Sequence, residues 1–218
     1  MLVHPWDAAS EDEAWEVLRA QGFGQLVAGG REREVPVVVP TQYVVVAGPA
    51  GDRDVLLHLA RPNPVWAAVA ENPSVLLAVA GDWTYVPAAW KAVAKEDPAL
   101  GIPTTYYAAV QVLATAHVLD EPADTLRVLR AQLAELEPGP GVADPAVHER
   151  RLAGIRGMRL QVHRVTGKLK YGGNVDAAHR EAVAARLAER AGPGDAAALA
   201  RLVSSLRSKE AASPGAPS

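Results

Sequence analysis

Cysteine is absent from the 218 residues. That one absence excludes disulfides, thiolate metal sites, iron–sulfur clusters and cysteine nucleophiles. No run of roughly 18 apolar residues occurs, so nothing reads as a membrane span. The start, "MLVHPWDAASEDEAW", lacks the basic-then-apolar pattern of a secretion signal, and a cytoplasmic, unanchored protein is the expectation. Neither charge sign dominates: 22 Lys and Arg stand against 25 Asp and Glu, a net charge of -3. No overall field therefore draws the chain to nucleic acid or anionic lipid. Several chemical motifs are missing too. The histidines, His4, His58, His117, His148, His163 and His179, include no pair at the three- to five-residue spacing of a helical zinc site. There is no Walker A sequence, "GFGQLVAGG" lacks the third glycine of a dinucleotide fingerprint, and no G-x-S-x-G elbow occurs. These absences favour a metal-free site that binds over one that cleaves.

What is present suffices for a full core, since 49% of the side chains are hydrophobic. In "SEDEAWEVLRAQ", Ser10 precedes Glu13 by three and Ala14, Val17 and Leu18 share a side, which predicts a capped amphipathic helix. "QLVAGG", "EVPVVVPTQYVVV" and "DVLLHLA" read as antiparallel strands joined by glycine-rich turns. Pro36 and Pro40 place the second of these at an edge or bulge. A short helix from Pro64 to Glu71, a strand "SVLLAVAG", an irregular covering segment "DWTYVPAAWKAVAKEDPALGIP", a strand "TTYYAAVQVLATAHVLD", a helix "EPADTLRVLRAQLAELE" and a strand "GMRLQVHRVTGKLK" follow. Two helical stretches divided by "AGPG" end the chain. Six or seven strands with peripheral helices predict an α+β fold, with a closed or partly closed barrel as the economical way to remove sheet edges. A twisted open sheet is the alternative. One domain is expected over residues 1–207, with a small, polar, disordered tail over 208–218.

In the helical pair, Ala188 and Gly192 sit four apart, the spacing of a helix-turn-helix DNA reader. Its second helix opens on Asp195, Ala196, Ala197 and Ala198, where a recognition helix needs Arg, Lys, Asn or Gln and where Asp has the wrong sign for phosphate. An ordinary helical hairpin is the better expectation.

The most informative stretch is "HLARPNPVW". Strand alternation puts His58 and Ala60 on one face and Leu57, Leu59 and Arg61 on the other. Arg61 at the strand end suits a phosphate or carboxylate, and Asn63 is held between two prolines. Taken singly, each has a plainer reading: a core histidine, a surface cation, a packed Trp66.

Taken with "GDWTYVPAAW", "GIPTTYYAAVQV" and "VTGKLKYGGN", in that order and spacing, the stretch resembles the PaiB-like family, described as FMN-binding negative transcriptional regulators. The resemblance runs from about Trp15 to Leu187. It implies an antiparallel split β-barrel of the flavin-reductase or pyridoxamine-phosphate-oxidase type, with peripheral helices, a C-terminal helical pair, and a cofactor at a homodimer interface. It also implies that His58, Ala60, Arg61, Asn63, Pro103 and Thr104 line the cofactor pocket, with Lys168 and Lys170 at the family's two basic positions. Trp83, Tyr85, Trp90, Tyr106 and Tyr107 are candidate stacking surface. The chain departs from the family pattern at three places: "SPSWY" becomes "VPAAWK", ending in Lys91, "PTWNY" becomes "PTTYY", and "KLSQN" becomes "KYGGN". Polar groups that could bond a flavin are lost there, whereas Gly172 and Gly173 allow backbone amides to approach an anion. FMN binding with a redox or sensory use is the leading expectation. A haem enzyme similar to the piperazate synthases, with His58 as iron ligand, comes second. A transcriptional regulator comes third, since the charge and the alanine-rich helix speak against direct DNA contact.

Overall fold

The computed structural model describes residues 1–48, 52–91 and 97–212. In chain order the elements are α1 (Glu11–Gln21), β1 (Phe23–Ala28), β2 (Val37–Gln42), β3 (Val44–Ala47), β4 (Arg53–Ala60), α2 (Val65–Glu71), β5 (Ser74–Val86) and α3 (Ala88–Lys91). Then come β6 (Thr104–Leu119), α4 (Pro122–Leu136), α5 (Glu149–Leu152), β7 (Ile155–Lys170), α6 (Ala177–Arg190) and α7 (Asp195–Ala212). The strands form one antiparallel sheet in the order β2-β1-β5-β6-β7-β4-β3, the α+β split-barrel arrangement. β2 is an edge strand, and its Pro40, opposite Gln25 of β1, sits where a missing N–H is tolerated.

The chain divides into two compact units. One comprises the described residues of 11–79 and 110–166. Its core holds Trp15, Leu18, Leu26, Leu57, Leu77 and Leu160, each fully buried, and each buried Leu contributes about 1.5–3 kcal/mol relative to exposure. On the other face of β4, α4 lies over β3 and β4, and Val128 packs against Val44 and Leu56. Thr125, Val128 and Gln132 form the buried stripe of that helix, spaced three and four residues apart.

The second unit comprises the described residues of 1–10, 80–109 and 167–212. Here β5 runs further than "SVLLAVAG" suggested, continuing through "DWTYV" to Val86. Thr84 and Val86 are buried while Trp83 and Tyr85 face outward. The segment is thus a strand whose large aromatics point away from the core, which disguised its alternation. The irregular covering segment shrinks to the stretch after Val86, of which 92–96 lie outside the described residues. α6 and α7 pack as a hairpin through Val183, Leu187, Ala198 and Leu202. α7 continues to Ala212, five residues beyond the expected domain boundary, and 213–218 lie outside the described residues. Among the described residues no helix is long and apolar enough to cross a membrane.

Candidate functional site

The proline-bounded corner after β4 belongs to the first unit, and its polar side chains are engaged within the chain. Asn63 Oδ1 accepts the N–H of Val65 at 3.0 Å, capping the start of α2, and the Asn63 N–H closes a turn onto Ala60 O at 3.0 Å. The Trp66 indole N–H donates to Ala60 O at 2.9 Å. Arg61 donates to Asp120 at 2.8 Å and to the carbonyl of Ala153 at 3.0 Å. Arg156 grips the same Asp120, and hydrogen bonds from Arg156 and then Arg61 hold that carboxyl below the usual carboxylate range. His58 faces α4, where its Nδ1 meets Gln132 Oε1 at 2.5 Å. With the amide oxygen accepting, Nδ1 is the donor of this bond. Gln132 is itself buried, so its amide oxygen needs a partner, and this histidine supplies it.

Pro103, Thr104 and Lys170, three other expected positions, come together in the second unit on a cavity of about 620 Å³. That size suits a cofactor or a substrate of similar bulk. Lys170 Nζ donates to the Thr104 hydroxyl at 2.8 Å. Lys168, two residues earlier on the same face of β7, is buried and donates to Leu2 O at 3.0 Å. Both ammonium groups lie within 6 Å of the Tyr107 ring, at 5.6 and 5.8 Å.

The rest of the cavity wall was not foreseen. Its residues include His4, Trp6 and Asp7 from the N-terminal segment, Lys91 from α3, and Leu100 and Ile102 before β6. His4 and Trp6 stack at 4.7 Å with rings nearly parallel. Leu100 and Ile102 are 70% and 78% exposed, an apolar rim. The N-terminal segment is pinned by a bridge from Ala8 to Lys168 and by Gly173, where a Cβ would stand 2.0 Å from Trp6 O. Gly172 adopts φ 73° beside the Tyr106 hydroxyl. Only a residue without a Cβ fits these two positions, which explains the "YGGN" departure. Gly172 and Asn174 of that turn also line the cavity.

The electrostatics of this cavity are cationic. Burial first, and the like charge of Lys170 second, hold the Lys91 ammonium below the ordinary lysine value. Burial and the Lys91 charge do the same to His179 on α6. Among the described residues no carboxylate lies within ion-pair distance of Lys91 or Lys170. Tyr106, in the wall, is buried and its hydroxyl has no partner among the described residues. Burial pushes that phenol up to about 12. Of the other aromatics, Trp83 and Tyr85 are exposed on β5, and Trp90 lies beneath the Arg190 guanidinium at 4.6 Å. Lys91 shows in the sequence as a departure from the family pattern, though not as a wall of this cavity. The N-terminal wall carried no such signal.

The sequence pattern of the family described as "Putative FMN-binding domain" matches residues 2–164, and the chain belongs to that family. Lys168 and Lys170 lie just beyond the matched stretch. No curated protein matches the chain. Among solved structures it is similar in fold to the FAD and haem binding protein of Mycobacterium smegmatis, at 16% identity over 81% of this chain and 79% of that one, TM-score 0.58. It is likewise similar to the flavocytochrome Anf3 of Azotobacter vinelandii, at 18% identity over 77% and 71%, TM-score 0.57. The conserved protein Rv2991 of Mycobacterium tuberculosis matches at 14% identity over 81% and 94%, also with TM-score 0.57.

Proposed function

We propose that the protein binds FMN and uses it for redox or sensory purposes. The observation that carries this reading is the convergence of Pro103, Thr104 and Lys170, three positions the family resemblance assigns to the cofactor, on one cationic cavity of about 620 Å³. The donor set fits a flavin nucleotide: ammonium groups for an anion, the Thr104 hydroxyl and the unpartnered Tyr106 hydroxyl for polar edges, and Trp6 with His4 as a flat surface. Bound flavin would supply hydride or electron transfer, and the chain would supply orientation and charge. The reading includes a homodimer, in which the His58 corner of one protomer and the Lys170 cavity of the other face a common flavin. Trp6, Leu100 and Ile102, all exposed at the cavity mouth, are apolar surface that such an interface would cover.

A second reading is favoured by one specific observation. The hydrogen bond from His58 Nδ1 to Gln132 leaves Nε2 as the free, ligating nitrogen, the tautomer an iron ligand needs. Haem at His58 is therefore the alternative; two proteins of similar fold are described as a flavocytochrome and as an FAD and haem binding protein. The visible spectrum of the protein separates the two. Two flavin bands in the blue and near ultraviolet, restored by added FMN after stripping, support the first reading, and a Soret band lost in His58→Ala supports the second. Analytical ultracentrifugation tests the dimer.

A further inference from the structure

We propose that the contact between His179 on α6 and Lys91 on α3 is an acid-sensitive hold on the cavity wall: a proton taken up by His179 drives α3 away from α6 and loosens a bound ligand. The proposal rests on the reading of the cavity as a ligand site, and it concerns a histidine that does not line that cavity.

Three observations carry this inference. First, the Nε2 atom of His179 is buried and has no hydrogen-bond partner among the described residues. A neutral ring can leave a bare lone pair there, whereas a protonated ring must bury an N–H and its charge without an acceptor. Second, the group that acts on the ring from across the helix pair is another cation. Lys91 of α3 senses His179 through space, and α3 packs against α6. The opposing charge is Asp176, and its carboxylate caps the helix, accepting the backbone N–H of His179 at 2.8 Å. Arg180, the next residue, turns to Ser205 of α7. α7 itself, also packed on α6, brings no charge to bear on the ring among the described residues. Third, α3 is a single turn, Ala88–Lys91, with no buried residue. A helix that short has no stability of its own, and the packing of Trp90 under Arg190 is what holds it. Repulsion at Lys91 therefore moves α3 instead of being absorbed by a core.

The direction with pH follows. Burial first, and the Lys91 charge second, hold His179 below the ordinary histidine value, so the packed arrangement binds the proton less well than the released one. Its stabilisation is complete above the unperturbed value of about 6.5 and is lost as pH falls below it. Lys91 lines the cavity, so its displacement is felt by whatever the cavity holds.

The test uses the full chain at pH 7.5 and pH 5.5. Amide hydrogen exchange over α3, corrected for the intrinsic effect of pH, reads the contact with no ligand present, and FMN affinity by fluorescence quenching reads the cavity. In wild type, acid is expected to speed exchange over α3 and to weaken FMN by about threefold to tenfold, within the tenfold per pH unit that one proton allows. His179→Gln stays neutral at both values and keeps the backbone cap. It should match wild type at pH 7.5, lose the exchange response, and keep only the smaller loss of affinity that comes from protonation of FMN's own phosphate, near pH ~6. His4→Gln, at the histidine that does line the cavity, should keep both responses. Lys91→Gln removes the facing cation instead and should blunt the exchange response as well, which keeps the test decisive should His179→Gln fail to fold. If FMN does not bind while α3 still loosens in acid through His179, the contact stands and the FMN reading falls. Equal exchange at the two pH values, an acid response that survives His179→Gln or Lys91→Gln, or FMN affinity that rises in acid overturns the proposal.

Discussion

The turn between α6 and α7 fixes the element that carries Lys91 into the cavity, and Asp195 is the residue to perturb. Its carboxylate is 1% exposed and accepts four hydrogen bonds: from Thr84 Oγ1 at 2.6 Å, from Arg190 at 2.5 and 2.8 Å, and from the Gly192 N–H at 2.8 Å. Arg190, so held, covers Trp90 on α3, next to Lys91. Removing one partner of a fully buried ion pair costs about 3–5 kcal/mol. Arg190 is 33% exposed and can turn to water, so the cost of Asp195→Ala falls to about 2–3 kcal/mol, part of it the Thr84 O–H, which loses its acceptor. At ~2–4 °C per kcal/mol for a chain of this size, the melting temperature drops by roughly 5–10 °C.

The same group predicts a pH signature. Hydrogen bonds from Arg190 above all, opposed by burial and aided by Thr84 and Gly192, hold the Asp195 carboxyl well below the usual carboxylate range. Its folded-state value is depressed, so its stabilisation is complete above the unfolded value of about 3.9 and is lost as pH falls below it. Urea unfolding at pH 7 and along a series down to pH 2 measures both effects. Asp195→Asn, which keeps the shape and loses the charge, should flatten the acid limb relative to wild type. A cost below about 1 kcal/mol for Asp195→Ala at pH 7, or identical acid limbs, would refute the reasoning.

Three further outcomes are expected. Asn63→Ala removes the cap on Val65 N–H and should cost about 1 kcal/mol, while Asn63→Asp, which keeps the acceptor, should be near neutral by thermal melting of stripped protein. Loss of flavin affinity in Asn63→Asp with stability unchanged would instead assign the amide to the ligand. Gly173→Ala forces a Cβ against Trp6 O, so it should displace the N-terminal wall, cost about 1–3 kcal/mol and weaken ligand binding, read by the same melts and by fluorescence quenching. Tyr106 and Tyr171 are both pushed up to about 12 by burial. Neutral phenols are favoured in the fold, so stability should fall as pH rises above about 10, with late phenolate absorbance in the native state.

Much of the fold was legible because it is written in local patterns. The alternation of β6, the short apolar run of β4 between its turns, the prolines that put β2 at an edge, and the Gly and Pro punctuation of α6 and α7 each act within a few residues. β5 reads shorter in the sequence than it is, because Trp83 and Tyr85 point outward and invert the usual polarity of a strand. The corner at His58 was legible as a corner. What its side chains bond was not, since Gln132 and Asp120 lie 74 and 59 residues away along the chain. The N-terminal wall of the cavity was invisible for the same long-range reason: it exists because Gly173 and Lys168 hold residues 2–8 in place.

Titrating FMN into the stripped protein, followed by flavin fluorescence and the visible spectrum, tests the central claim most directly. The account predicts saturable one-to-one binding, weakened by Lys170→Ala and accompanied by a higher melting temperature. A colourless protein that leaves FMN fluorescence unquenched at saturating concentration, with no thermal shift, would contradict it.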